Sequence, residues 1–63
     1  MTLLVAMLGD SYAPVRRESI ESLIHLKAVE ALGAIEALLN DEDSDVRRYV
    51  ARAKAALGSS PMQ

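Results

Sequence analysis

The clearest pattern lies near the end of the chain, where Val46, Val50, Ala53 and Leu57 recur at i, i+4, i+7 and i+11 while Arg47, Arg48 and Arg52 fall between them. At about 3.6 residues per turn those four positions stack on one stripe, so the segment is predicted to be an amphipathic helix with one buried face. Asp43 or Ser44 supplies its N-cap, Asp45 sits where the positive end of the helix dipole favours a carboxylate, and Gly58 ends the run. A similar helix is predicted to open at Pro14, whose fixed φ and missing N–H suit the first helical position, and to continue through Ile20, Leu23 and Ile24 to about Leu26. Gly9 to Ala13 is the turn before it. Each of these helices follows another apolar segment. One runs from Ala28 or Val29 through Leu39, with Leu32, Ile35 and Leu39 inward; its truncated counterpart runs from about Thr2 to Leu8. Residues 59–63 carry turn formers and no periodicity, which predicts a flexible tail.

The two pairs repeat each other. Sliding the sequence by 31 positions lays Ala6–Lys27 over Ala37–Gly58, and seven of those 22 pairs are identical. Leu8 falls on Leu39, Asp10 on Asp41 and Val15-Arg16-Arg17 on Val46-Arg47-Arg48, framed by Ala6 on Ala37 and Leu26 on Leu57. Average residue usage would give about one or two coincidences. A period near 30 is the signature of a helical solenoid, whose units cannot bury their apolar faces alone. The expected fold is therefore all-α: an α-solenoid of about two helix pairs, four antiparallel helices of which the first is truncated. One domain is expected over residues 1–58, with repeat 1 at about 1–27 and repeat 2 at about 28–58.

Composition sharpens this. A 63-residue chain hides only roughly 60% of the surface its unfolded form exposes, so its core is marginal without disulfides, a metal or a partner. There is no Cys and one histidine, His25, which removes the first two aids and leaves burial against a partner. With two Tyr and no Phe or Trp, the core must be built of Leu, Ile, Val, Ala and Met. A net charge of −2 argues against a surface devoted to the phosphate backbone of nucleic acid. The apolar run Leu3–Leu8 is far short of the roughly 20 residues that span a bilayer, and no basic region or small-x-small cleavage site marks a secretory leader. A cysteine-free chain without an address fits a reducing cytoplasm.

Asp41-Glu42-Asp43-Ser44-Asp45-Val46-Arg47-Arg48, following Ala37-Leu38-Leu39 and leading into an Ala-rich helix, resembles the HEAT repeat, in particular the short variety of phycobilisome-lyase-like proteins. Leu8-Gly9-Asp10 and Val15-Arg16-Arg17 carry the same resemblance in the first unit, so it covers nearly the whole chain. The resemblance implies a ladder in which the turn aspartate meets the arginine six residues later, Asp10 with Arg16 and Asp41 with Arg47. Two features depart from the family. Its Gly-Asp-Pro-like turn between repeats is replaced by Leu26-Lys27-Ala28-Val29, all compatible with helix. A turn is expected there; a straightened joint would instead fuse Pro14–Leu39 into one helix and exchange halves between two chains. Solenoids also generally stack three or more repeats, and two leave apolar ends exposed, with Leu3, Leu4 and Met7 the candidate self-association face.

The remaining candidates are weaker. Asp41-x-Asp43-x-Asp45 imitates the opening of a calcium loop, but Val46 stands where a Gly must turn and Arg52 where a bidentate Glu should sit. His25, near Ser19 and Ser22, has no second ligand, orienting acid or oxyanion hole, so neither catalysis nor a metal is expected. Arg17, Arg48 and Arg52, left over from the ladder, form a candidate partner surface for an acidic protein or, less favourably, nucleic acid. The expectation is a non-enzymatic protein-interaction scaffold, without a cofactor, that self-associates as a homodimer or other homo-oligomer. The alternative the resemblance permits is an accessory subunit of an enzyme such as a bilin lyase.

Overall fold

The computed structural model describes residues 2–58, with side chains from Leu3 onward. Met1 and the tail expected at 59–63 lie outside the described residues. Four α-helices follow one another: α1 (Thr2–Met7), α2 (Ala13–His25), α3 (Leu32–Glu36) and α4 (Ser44–Leu57), with a 3₁₀ turn at Val29–Ala31 leading into α3. No strand occurs among the described residues. Helices α1 and α2 pack as one pair and α3 and α4 as the other, and the broadest contact joins α2 to α4 across the pairs.

The local chemistry sets these boundaries. Asp43 caps α4, accepting a hydrogen bond from the Val46 N–H at 2.9 Å. Tyr12 holds the matching position before α2, where no side chain caps the helix, and Pro14 stands in its first turn. At its other end α2 closes in a Schellman turn, in which the Lys27 N–H donates to Ile24 O and the Ala28 N–H to Leu23 O. Lys27 takes the left-handed conformation that glycine usually supplies, with φ 53°. The joint therefore folds back within one chain, as the turn reading expects, although its sequence is compatible with helix. Gly58 ends α4 for a different reason. Its φ of −95° is ordinary, but a Cβ there would lie 2.7 Å from Lys54 O and 3.2 Å from Leu32 Cδ2.

Leu8, Ile20, Leu23, Ala28, Ala31, Ile35, Val46, Val50, Ala53 and Leu57 form one continuous core. The stripe read from α4 is buried in full. The segment before it departs from the reading of one helix from Ala28 or Val29 to Leu39 with Leu39 inward. Leu38 packs on the core, whereas Leu39 is 50% exposed. The cause is the period: beyond Glu36 the chain continues in i to i+3 turns, with Leu38 N–H on Ile35 O, Leu39 N–H on Glu36 O and Asp41 N–H on Leu38 O. At three residues per turn, positions 35 and 38 eclipse, so the second leucine of the pair swings out.

Candidate functional site

Among the described residues Arg16 is the charged residue that is buried as a whole, and its burial follows from where α2 puts it, on the flank turned to the second pair. Its Nη2 donates to Asp41 Oδ1 at 2.9 Å, and its Nε lies 2.9 Å from Asp41 Oδ2, an ion-pair contact that is not aligned as a second hydrogen bond. The third nitrogen, Nη1, donates to the Asp10 backbone carbonyl at 2.7 Å. One repeat later Arg47 Nη1 makes the same bond to the Asp41 carbonyl. The aspartates match as well: Asp10 Oδ1 accepts the Tyr12 N–H at 2.8 Å and Asp41 Oδ1 the Asp43 N–H at 2.9 Å.

Asp10, Arg16, Asp41 and Arg47 do come together, but not in the pairs the resemblance implied. Within a repeat the arginine reaches only the aspartate's main-chain carbonyl; the carboxylate that Arg16 meets, Asp41, belongs to the neighbouring repeat. The physical reason is that each aspartate carboxylate already closes its own turn by accepting the N–H two residues on, which aims it away from the arginine of its own repeat. Burial pushes the Asp41 carboxyl toward its neutral form. The hydrogen bonds from Arg16 and the Asp43 N–H, with the attraction of Arg16 and Arg47, outweigh that and hold its pKa below the usual aspartate value. The same pairing raises the Arg16 pKa further, against a smaller opposing effect of desolvation.

The candidate partner surface is distributed differently. Asp45 sits between Arg17 Nη1 at 3.8 Å and Arg48 Nη1 at 3.6 Å, so one carboxylate offsets part of that ridge. Arg52 lies over the Tyr49 ring, its Cζ 5.4 Å from the centroid, within cation–π range. Beneath it, between α2 and α4, opens a groove of about 460 Å³ lined by Glu21, Ile24, His25, Tyr49, Arg52, Ala55 and Ala56. Its volume falls within the roughly 300–1,000 Å³ range of ligand clefts. Sequence reasoning singled out Arg52 and missed the groove; the available signal was the helical spacing of Tyr49, Arg52 and Ala56 along the flank of α4 beside the buried stripe.

Ser19 spends its hydroxyl on the Val15 carbonyl at 2.7 Å, while His25 is exposed at the groove's edge. Among the described residues no group of three or more His, Cys, Asp or Glu could hold a metal ion. None of the described helices is long and apolar enough to cross a membrane. At the opposite end of the chain Leu3 is 74% exposed, whereas Leu4 and Met7 are half-buried, Leu4 against the core.

Paired helices that stack, with the same arginine-to-turn-carbonyl bond in each pair and a charged link from one pair to the next, define an all-α helical-repeat protein. A family model for HEAT repeats matches residues 1–62, and the chain belongs to that family. Neither a curated protein nor a solved structure matches it. HEAT repeats generally mediate protein–protein interaction, and the family is typically a non-enzymatic scaffold.

Proposed function

We propose that the chain is a non-enzymatic protein-interaction module that receives its partner in the α2–α4 groove, and that it also self-associates through its ends. The observation that carries the first part is the groove itself, with an apolar floor at Ile24, Ala55 and Ala56 and the stacked Tyr49–Arg52 pair at its rim. Tyrosine and arginine are the residue types enriched where partners bind most strongly, and a rigid helix pair loses little entropy on docking. The partner chemistry that fits is an apolar side chain seated on the alanines, with an adjacent carboxylate on Arg52. The ridge formed by Arg17 and Arg48 adds little charge of its own because Asp45 lies between them. The exposed Leu3 supports the second part.

Selection from a random peptide library tests the groove, with counter-selection against Ala55→Arg, which fills it. The expected outcome is enrichment of peptides that pair a large apolar residue with Asp or Glu, shift amide resonances in segments 21–25 and 49–56, and lose binding with Arg52→Glu. Peptides that bind the filled variant equally well would sink the reading.

A further inference from the structure

Repeat symmetry gives the Arg16–Asp41 pair a second pair of equivalents. A shift of 31 positions takes Arg16 to Arg47 and Asp10 to Asp41, so the partner Arg47 would meet in a following unit corresponds to Asp10 of this chain. Among the described residues the Asp10 carboxylate meets no cation and the Arg47 guanidinium no carboxylate within ion-pair distance. Both are exposed and already held in position, Asp10 by the Tyr12 N–H and Arg47 by the Asp41 carbonyl. These are the same restraints that hold Asp41 and Arg16 where they pair.

The surroundings are complementary too. Leu8, Arg16, Ile20 and Leu23 are buried, while their equivalents Leu39, Arg47, Ala51 and Lys54 are exposed. The flank of α4 away from the groove thus offers Ala51 with two cations, Arg47 and Lys54, and the turn before α4 adds exposed Leu39. The other end offers exposed Leu3 with two exposed carboxylates, Asp10 and Glu18, the latter at the position Tyr49 occupies one repeat later. We infer that a second copy of the chain docks head to tail on this one, Arg47 of one copy forming with Asp10 of the next the pairing that Arg16 forms with Asp41. The inference rests on the self-association part of the reading above and is independent of the groove. Such a contact joins unlike surfaces, so it leaves a free end of each kind and grows stepwise instead of closing at a dimer.

Sedimentation over a dilution series reaching the millimolar range tests it, with helicity followed in parallel. The wild-type mass should rise above 6.8 kDa with concentration and pass twice that value without a plateau. Asp10→Arg and Arg47→Asp should each remain monomeric alone, since each sets like charges across the contact, and an equimolar mixture should regain association through restored and swapped pairs. Asp10→Asn, which keeps the acceptor for the Tyr12 N–H, should weaken association several-fold at unchanged helicity, separating loss of the pair from loss of the fold. A wild-type monomer at every concentration overturns both the inference and self-association. Association that the reversed variants retain alone, or that the mixture fails to restore, overturns the ladder contact and leaves self-association standing.

Discussion

Helices α2 and α4 carry the same Val-Arg-Arg in their first turns, after Ala-Pro in one and Ser-Asp in the other, and pack side by side, yet they are buried by different chemistry. The buried set of α4 is wholly apolar, Val46, Val50, Ala53 and Leu57, whereas that of α2 includes Arg16 and Ser19 beside Ile20 and Leu23. The difference lies in position within the stack. Arg16 is covered because a second pair stands against its flank; Arg47, identical in local sequence and in its bond to a carbonyl, stays exposed. A repeat's sequence specifies its shape, and its neighbour decides which residues become core.

The largest test of that statement compares two leucines at matched positions. Leu8→Ala, at a buried site, should cost about 2–5 kcal/mol, while Leu39→Ala, half exposed, should cost less than about 1 kcal/mol, read from urea unfolding. Equal losses would mean that the stack does not set burial.

The matched aspartates come next. Asp41→Asn should lower the melting temperature more than Asp10→Asn, because only Asp41 receives a buried guanidinium. Its pKa is depressed on folding, so its contribution is fully present above the usual aspartate value of 3.8 and is lost as pH falls below that toward the lowered value. Acid titration of stability should therefore show a step below that point in the wild type and a smaller one in Asp41→Asn.

Smaller effects separate the helix starts and the joint. Asp43→Ala removes a cap and should cost about 1 kcal/mol, whereas Tyr12→Ser, which supplies α2 with the cap it lacks, should gain about 0.5 kcal/mol. Lys27→Gly relieves a left-handed lysine and should add about 0.5–1 kcal/mol. A loss there would mean that Lys27 makes a compensating contact.

The helix pairs, the repeat offset and the α4 stripe were legible because each is a periodicity within one element, where covalent geometry alone places the residues. Leu39 was misplaced because extrapolating a period of 3.6 through residues that wind at three per turn accumulates a rotation of one position. The direction of the ladder was hidden for another reason. Asp41 lies six residues before Arg47 but pairs with Arg16, 25 residues away, and only packing of the two repeats brings that distance to contact. The groove belongs to no single helix, so its lining could be assembled only after α2 and α4 were set side by side.

The Arg16–Asp41 pair also fixes the unit in which this protein folds. A first repeat on its own would leave the guanidinium without its carboxylate and Ile20 and Leu23 facing water; a second repeat on its own would keep Asp41 but lose Arg16 as its ion-pair partner. Neither half should therefore be stable on its own. The two should form and melt in a single cooperative transition, with the slowest-exchanging amides of α2 and α4 sharing one opening free energy.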